Sequence, residues 1–375
     1  MRQTAGRITL ALLLLLVASA CVRAAEPARF CLTADNRNYK GFADVLASMK
    51  TIPGGPGKFM ISVGDIDPPK GTRDALDKVL GTSFGWYPVV GNHEIGRVTT
   101  KTPTADATKP DATGAKDAPA AKDAKDPAAT AKDDAASKPG AESKDAGSTR
   151  TASPRANMTY LRDYYDKNLK GKVNPGPKGT AETTYSFDVG DCHIAILNEY
   201  WDGKTVADSD SRGKGEVVPT LMEWLRADLK ATKKTWKIVV GHEPPFPQPD
   251  RNWDTARHAS NTMTKNAAKR DTLWDLLEDE GVTVFICGHT HRYSRYKPED
   301  SKVWQVDAGQ ARGGSGAKYD VFIIVTADPK SLKFEVWRNL EKPGDFRIVD
   351  TLVLGPGGTV LDETQDVVRP SAAAK

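Results

Sequence analysis

Five short apolar segments of this chain are each followed directly by residue types that bind divalent metal ions. The residues at these five places are Asp35, Asp65, Asn92 with His93, His242, and His289 with His291. Their oxygen and imidazole groups are ligands that suit Zn, Mn and Fe. A glycine stands before the polar residue at four of the five places, where it lets the backbone turn sharply or approach another group closely. The sequence therefore predicts a divalent-metal site assembled from several separate segments.

The apolar segments themselves have the length and composition of buried strands. They cover residues 30–34, 59–63, 87–90, 237–240 and 282–287. Short apolar runs of this kind are typical of strands inside a sheet. In open α/β sheets the carboxyl ends of the strands line the ligand crevice, so we expect the polar residues to meet there. A lone histidine after a strand is more often structural, and it is the joint placement that favours a site.

Helical patterns alternate with these strands in the first part of the chain. Apolar residues recur at helical spacing within residues 42–49, 76–80, 221–229 and 273–277. A hairpin is predicted over residues 184–198, and only strands follow residue 303. Alternating strands and helices followed by a run of strands predict an α/β fold with mixed sheets covered by helices.

The first 24 residues have the features of an export signal. Arg2 and Arg7 precede an apolar run of suitable length, and small residues follow it. Cleavage before Ala25 would give a periplasmic or secreted chain. Cleavage before Cys21 would instead give an envelope protein with a lipid anchor at that cysteine. A retained membrane helix is disfavoured because the apolar run is short.

Two further segments are predicted to lie outside the folded domain of residues 25–355. Residues 99–156 consist mainly of Ala, Lys, Asp, Thr, Pro, Ser and Gly. Such a segment buries too little apolar surface to offset an ordering entropy of about 1–2 kcal/mol per residue. We therefore expect a disordered insertion within the domain. Residues 356–375 are rich in Gly, Pro and Ala and are predicted to form a flexible tail.

The composition excludes several classes of protein. Only one segment is apolar enough to enter a bilayer, which excludes a membrane protein with many spans. Four cysteines in 375 residues exclude a small domain built on disulfides. The net charge is +4, but three of the positive residues lie in the predicted signal, so the rest of the chain is almost neutral. This charge does not indicate nucleic acid as a partner.

The order of these motifs resembles that of the calcineurin-like metallophosphoesterase superfamily. The matching residues are Asp35, Gly64-Asp65, Gly91-Asn92-His93-Glu94, Gly241-His242 and Gly288-His289-Thr290-His291. The predicted hairpin and Glu223-Trp224-Leu225 resemble the purple acid phosphatase branch. The resemblance covers most of the chain predicted to be ordered. It implies two mixed β-sheets packed as a sandwich and flanked by helices, and a hydrolase that acts on phosphoric ester bonds.

The resemblance also implies a binuclear centre with two divalent ions, either Mn, Zn or Fe. Asp65 would bridge the ions, Asp35 and His291 would bind the first, and Asn92, His242 and His289 would bind the second. The ions would activate a hydroxide that attacks a phosphate-ester substrate. His93 would contact the phosphate or protonate the leaving oxygen. Glu94 would either orient His93 or serve as an acidic residue at a helix N-terminus.

Two residues depart from the family pattern. Arg37 stands where the family usually has a histidine ligand, and arginine stays protonated and cannot bind a metal ion. Pro68 stands where purple acid phosphatases have a tyrosine ligand. The first metal site would be completed by water, Asn36 or Asn38, or be weakly occupied. Arg37 is either a clamp on the substrate phosphate or a surface residue.

The sequence therefore predicts an exported metal-dependent phosphoesterase acting on phosphomonoesters or phosphodiesters. Two alternatives stay open. One is a non-catalytic envelope protein that retains the fold. The other is an enzyme with one metal ion, in which the charge of Arg37 replaces the missing ligand.

Overall fold

The computed structural model describes residues 26–37, 39–95, 152–208, 213–251, 256–313, 320–339 and 344–366. The predicted export signal, Cys21 and Asn38 lie outside the described residues, as do most of the predicted insertion and the last residues of the predicted tail. None of the helices in the described ranges is both long and apolar enough to span a bilayer.

Fourteen strands and six α-helices make up the described part of the chain. The strands are β1 (Ala28–Thr33), β2 (Phe59–Ser62), β3 (Gly85–Pro88), β4 (Asn174–Pro175), β5 (Tyr185–Val189), β6 (Cys192–Ile196), β7 (Trp236–Val240), β8 (Val284–Cys287), β9 (Tyr293–Tyr296), β10 (Trp304–Ala308), β11 (Val321–Ala327), β12 (Leu332–Asn339), β13 (Phe346–Gly355) and β14 (Thr359–Gln365). The helices are α1 (Tyr39–Thr51), α2 (Pro69–Leu80), α3 (Asn92–Ile95), α4 (Pro154–Tyr164), α5 (Pro219–Ala231) and α6 (Ala267–Asp279). A π-helical turn over Tyr165–Leu169 continues α4, and two 3₁₀ turns over Ala259–Asn261 and Met263–Asn266 precede α6.

The strands form two seven-stranded mixed sheets. The first sheet has the order β14-β13-β12-β11-β1-β2-β3, and the second has the order β4-β5-β6-β7-β8-β10-β9. Strands β1, β2 and β3 run parallel, as do β6, β7 and β8, while the outer strands pair mostly antiparallel. The predicted fold class is thereby confirmed. Parallel strands with buried residues on both faces explain why these segments are apolar without alternation.

Aromatic side chains from the two sheets pack against each other inside the sandwich. The ring of Tyr87 in the first sheet stacks on Phe187 in the second, with 3.9 Å between ring centroids. Phe59 meets the same phenylalanine edge to face at 5.8 Å. The Tyr185 hydroxyl donates to the carbonyl of Pro88 at 3.0 Å. These contacts fix the two sheets relative to each other and therefore fix the strand ends that carry the polar residues.

The boundaries of the predicted insertion and tail need correction. Helix α4 begins at Pro154, with the Ser153 side chain accepting from the Ala156 amide, so the insertion ends earlier than residue 156. The predicted tail includes β14, which pairs with β13. Six of the seven side chains of β14 are exposed. Since an edge strand with no buried face shows no apolar alternation, its sequence looks like that of a loop.

His193 joins the hairpin of the second sheet to helix α5. Its Nδ1 lies 2.8 Å from an Asp188 oxygen, and its Nε2 lies 2.9 Å from an Asp228 oxygen. The other Asp228 oxygen accepts from Ser186 and Asn174. Burial opposes protonation of His193, but the hydrogen bonds to Asp228 and Asp188 outweigh it and raise its pKa. The network therefore gives His193 a structural role.

Replacement of His193 by alanine is expected to lower the free energy of unfolding by about 1.5–3 kcal/mol at pH 6, the usual size for hydrogen bonds to charged groups. The folded-state pKa is raised, so this contribution is complete below the unfolded pKa of about 6.5 and is lost as pH rises through the folded value. Urea titrations at pH 6 and pH 9 measure the difference between the two proteins, which should shrink at the higher pH.

The matched control is His258→Ala. Its exposed imidazole has a lowered pKa, because of burial of part of the ring and the nearby His291 and Arg257. Its loss therefore cannot produce a stability deficit that shrinks as the pH rises, as is expected for His193→Ala. A His193→Ala deficit that stays constant or grows between pH 6 and pH 9 would contradict the proposed charge on His193.

Candidate metal centre

The five predicted strand ends meet at one edge of the sandwich. Asp35 follows β1, Asp65 follows β2, and Asn92 and His93 open α3 after β3. On the second sheet, His242 follows β7 and His289 and His291 follow β8. Contacts of 3.5 Å or less link the two groups across the sheets: His242 to Asp65, His289 to Asn92, and His291 to Asp35. The strand ends thus bring the predicted side chains together.

The backbone at these strand ends is strained. Asp35 and Asp65 have φ of 52°, and His289 and His291 have φ of 70° and 57°. A positive φ is uncommon outside glycine, and such residues cluster at functional sites. Two neighbouring glycines permit the close approach: a Cβ on Gly64 would lie 2.3 Å from the His242 ring, and one on Gly91 would lie 2.4 Å from an Asp65 oxygen.

The predicted second set of metal ligands is Asp65, Asn92, His242 and His289. His242 Nδ1 lies 2.8 Å from the Val63 carbonyl, and His289 Nε2 lies 2.9 Å from the Asn261 carbonyl. A carbonyl can only accept, so each of these nitrogens carries a proton. In the neutral rings, His242 Nε2 and His289 Nδ1 therefore keep their lone pairs.

Those two lone pairs face oxygen acceptors. His242 Nε2 lies 3.4 Å from an Asp65 oxygen, and His289 Nδ1 lies 3.0 Å from Asn92 Oδ1. His242 Nε2 is buried and has no hydrogen-bond partner among the described residues. Burial opposes a charge on His242, yet Asp65 and Asp35 outweigh it and raise its pKa to about 9. The lone pairs of the two rings and the oxygens of Asp65 and Asn92 thus point into one negatively charged space, which fits a divalent cation. The carbonyls of Val63 and Asn261 hold the two rings in the orientation that this requires.

The predicted first set is Asp35, Asp65 and His291. One ligand atom from each of these three buried residues lies within 4.8 Å of the others. The buried Asp35 Oδ1 lies 3.1 Å from His291 Nε2. Burial raises the pKa of Asp35, but His291 and His242 outweigh it and hold that pKa below its usual range. This group fits a metal ion, although with fewer protein ligands than the second set.

Glu94 positions the loops that carry Asp65 and Asn92. Its buried carboxylate accepts from the backbone amides of Asp65 at 3.0 Å, Ile66 at 2.9 Å and Gly91 at 2.7 Å. We expected Glu94 among the catalytic residues, either orienting His93 or acting as a helix N-terminal acid. The contacts of Glu94 do not orient His93. They instead hold together the loops that follow β2 and β3.

His93 lies beside the carboxylate of Asp65. Its amide donates to Asp65 Oδ1 at 3.0 Å, and its Nε2 lies 3.6 Å from Asp65 Oδ2. The side chain is half-buried at the edge of the site. Burial lowers the pKa of His93 to about 4, with Asp65 opposing that shift and Arg37 adding to it. The imidazole is therefore neutral at neutral pH and offers one N–H to a ligand.

Arg37 belongs to the site and is not a plain surface residue. It is half-buried, and its charge contributes to the pKa shifts of His93 and Arg312. Its buried Nε has no hydrogen-bond partner among the described residues. Pro68 opens helix α2 and supplies no ligand atom, as the sequence indicated.

Three more residues at the site were not predicted. Arg257 Nη1 lies 3.0 Å from His291 Nδ1, and an Arg312 terminal nitrogen lies 3.3 Å from the same atom. The His258 ring lies 5.4 Å from that of His289 and 5.3 Å from that of His291. His258 is exposed but also lies beside the site. Arg312 comes just before a glycine-rich stretch.

Comparison with known proteins identifies the family. A model of the family described as calcineurin-like phosphoesterase matches residues 28–293 of this chain. The chain belongs to this family. The family prediction is therefore confirmed, as is the enzyme class at the family level, namely phosphoric ester hydrolases that depend on metal ions.

Part of this phosphoesterase is similar in sequence to purple acid phosphatases. A stretch of 121 residues is 31% identical to purple acid phosphatase 17 of Arabidopsis thaliana, which is 32% of this chain and 31% of that protein. A stretch of 94 residues is 32% identical to tartrate-resistant acid phosphatase type 5 of Mus musculus, which is 25% of this chain and 24% of that protein. The matched stretches span less than a third of either relative.

Two solved structures share the fold. The structure of PhoD aligns with this chain at a TM-score of 0.54 and 10% sequence identity. The alignment covers 93% of this chain and 73% of the PhoD chain. The structure of purple acid phosphatase PPD1 from yellow lupin (Lupinus luteus) seeds aligns with this chain at a TM-score of 0.50 and 13% sequence identity. The alignment covers 88% of this chain and 54% of the lupin chain. At these identities the likeness establishes the fold alone.

Proposed function

We propose that this phosphoesterase is an exported enzyme that hydrolyses phosphomonoesters or phosphodiesters with two divalent metal ions. The observation that carries the proposal is the set of facing acceptor atoms at five strand ends, held on a strained backbone at the edge of the sandwich. When bound, two divalent ions would polarise the phosphoryl oxygens and supply a nucleophile from water at neutral pH.

The chain's own residues would share the remaining work. Asp65 lies between the two ligand sets and belongs to both. His93 stands at the edge of the site, where its N–H would reach a phosphate oxygen or the leaving oxygen. Arg37 would bind phosphate oxygens, since a guanidinium donates two hydrogen bonds in parallel. The buried Asp35 and His242 would stay inaccessible to the substrate and act only as ligands.

A centre with one metal ion is the second candidate. Arginine can only donate, so the contact from Arg257 makes His291 Nδ1 an acceptor. In the neutral ring the proton then lies on Nε2, which faces Asp35 at 3.1 Å. In this tautomer His291 Nε2 has no lone pair for a metal ion. The second ligand set carries no such conflict, so it would be the site that remains.

Metal analysis together with turnover tests the proposal. The full chain is expressed with its N-terminus intact, recovered from medium and envelope, and analysed for metal content and for hydrolysis of p-nitrophenyl phosphate and its bis ester. We expect about two ions per chain and turnover that a chelator abolishes and Mn, Zn or Fe restores. One ion with full activity supports the second candidate. No metal and no turnover after reconstitution would favour a non-catalytic envelope protein.

The same preparation tests export. The predicted signal supports export, and the intact mass shows which cleavage took place. A chain that begins at Ala25 indicates a periplasmic or secreted protein, and a lipid-modified chain that begins at Cys21 indicates an anchored one. An uncleaved chain confined to the cytoplasm would contradict the proposal.

A further inference from the structure

We infer that Arg257 and Arg312 form an anion-binding subsite beside the metal centre, which takes a second phosphate group joined to the one that is hydrolysed. The inference rests on the proposed function, and it names the substrate class: phosphoanhydrides, in which two phosphates share a bridging oxygen. Four observations on the described residues carry it, namely the proximity of the two guanidinium groups, their lack of counter-charges, their exposure and their place next to the ligands.

The two guanidinium groups converge from different parts of the fold. Arg257 lies in the loop between β7 and α6, and its amide donates to the Thr290 carbonyl at 3.1 Å. Arg312 lies after β10, where Asp320 binds its amide at 2.8 Å and Asp35 accepts its Nε–H through the backbone carbonyl at 3.1 Å. Both side chains nevertheless end beside the same atom, His291 Nδ1. The fold therefore holds two like charges close together.

Within the described ranges, neither of these two charges is paired directly with a carboxylate. No ion pair joins Arg257 or Arg312 to a carboxylate of the described residues within 4.0 Å. The nearby carboxylates of Asp35 and Asp65 are the candidate metal ligands, so a bound cation would take up their charge. Two guanidinium groups that meet beside one atom without a paired carboxylate repel each other. A bound anion would relieve this repulsion.

The subsite is open to solvent and adjoins the ligand set. Arg257 is exposed and Arg312 is partly exposed, whereas His291 beneath them is buried. A phosphate held by the two guanidinium groups would therefore lie next to one held by the metal centre. Guanidinium groups suit phosphate oxygens because they donate two hydrogen bonds in a fixed plane. A diester with a single negative charge has no second group for this place.

The reaction that this subsite favours is hydrolysis of the anhydride. Water adds to one phosphorus, the bridging P–O bond breaks, and the bridging oxygen leaves with the other phosphate. The two protons of the water pass to the product phosphates or to solvent. The subsite would bind the leaving phosphate, which keeps the bridging oxygen.

Binding of two phosphonates tests the inference without any need for turnover. Calorimetry on the metal-loaded full chain compares methylenediphosphonate with methylphosphonate, and the metal content is measured again afterwards because a diphosphonate can remove metal. We expect the wild-type protein to bind the diphosphonate at least about 10-fold more tightly. Arg257→Gln and Arg312→Gln should each remove most of that preference and bring the two affinities close together, because losing a hydrogen bond between charged groups costs about 10-fold or more in affinity.

The control variant is Arg226→Gln, which removes a partly exposed guanidinium paired with Asp279 at the end of α6 and with Glu280 just after it. It should keep the preference. Arg312→Lys guards against misfolding at the less exposed position and should keep part of the preference. Equal binding of the two phosphonates by wild type, or a preference unchanged in both glutamine variants, would overturn the inference.

The outcome is separable from that of the proposed function. A wild-type protein that prefers the diphosphonate but has no turnover on any ester or anhydride keeps the subsite and contradicts the enzyme. A protein that turns over p-nitrophenyl phosphate without the preference keeps the enzyme and contradicts the subsite.

Discussion

Replacement of His242 by alanine is expected to abolish turnover and to reduce the metal content of the protein. His242 is fully buried, its Nδ1 donates to Val63, and its Nε2 faces Asp65 with no hydrogen-bond partner in the described part of the chain. Loss of an outer partner of a metal ligand alone costs about 10- to 100-fold in affinity or activity. Loss of the ligand itself should therefore lower kcat/KM for p-nitrophenyl phosphate by more than about 100-fold.

The measurement combines metal analysis, steady-state kinetics and thermal unfolding. Asn92→Ala should behave in the same way, because Asn92 Oδ1 faces the lone pair of His289 Nδ1 at 3.0 Å. A parallel Asn168→Ala variant removes an exposed helical asparagine that only bonds the Tyr164 carbonyl, and it should keep both metal and activity.

His193→Ala separates metal loss from instability. This variant removes a buried imidazole from the structural network with Asp188 and Asp228, so it should be less stable at pH 6 and still bind metal. If His242→Ala kept its metal content and its rate, the assignment of the second ligand set would be refuted. If His193→Ala lost metal as fully as His242→Ala, instability would explain both results.

The candidate metal ligands could be predicted from sequence because each of them follows a strand by a few residues. Apolar runs of four to six residues identify β1, β2, β3, β7 and β8, and the next residues can only lie at the carboxyl edge of a sheet. The glycines before Asp65 and Asn92 were predicted to allow close approach, and the spaces around Gly64 and Gly91 show that they do. Local sequence thus determines where these side chains begin.

The arginines were missed because tertiary contacts place them. Arg257 belongs to a polar loop, and its position depends on the bond from its amide to Thr290, a residue far along the chain. Arg312 depends on Asp320, which binds the amides of Arg312 and Gly313. Neither contact leaves a periodic pattern in the sequence. A polar loop and a glycine-rich turn look the same whether their arginines face solvent or a site.

The start of α4 carries a local signal that we did not use. Ser153 followed by Pro154 is a common beginning of a helix, with the serine as cap and the proline in the first turn. The low-complexity composition just before it outweighed this signal. Strand β14 is a different case, because its exposed side chains give no alternation and only its pairing with β13 makes it a strand.

Replacement of His93 by glutamine is expected to slow hydrolysis in a way that depends on the leaving group. His93 stands beside Asp65 at the edge of the site without being needed as a ligand. If the N–H of the neutral imidazole donates a hydrogen bond to the developing charge on the leaving oxygen, the loss should be about 10²- to 10³-fold for an alkyl phosphate, the usual cost of removing one such donor. p-Nitrophenolate leaves without such help, so the loss with p-nitrophenyl phosphate should be much smaller.

The test is the slope of log kcat/KM against the pKa of the leaving group, measured with a series of aryl and alkyl phosphates. A steeper slope in His93→Gln, with metal content equal to that of wild type, assigns the leaving-group role to His93. An equal loss across the series would instead show that His93 only binds the phosphate that all the substrates share. His258→Gln is the matched control, since it removes an exposed imidazole that also contacts the site. Its slope should remain that of the wild-type enzyme, because His258 lies beside His289 and His291 and not beside Asp65.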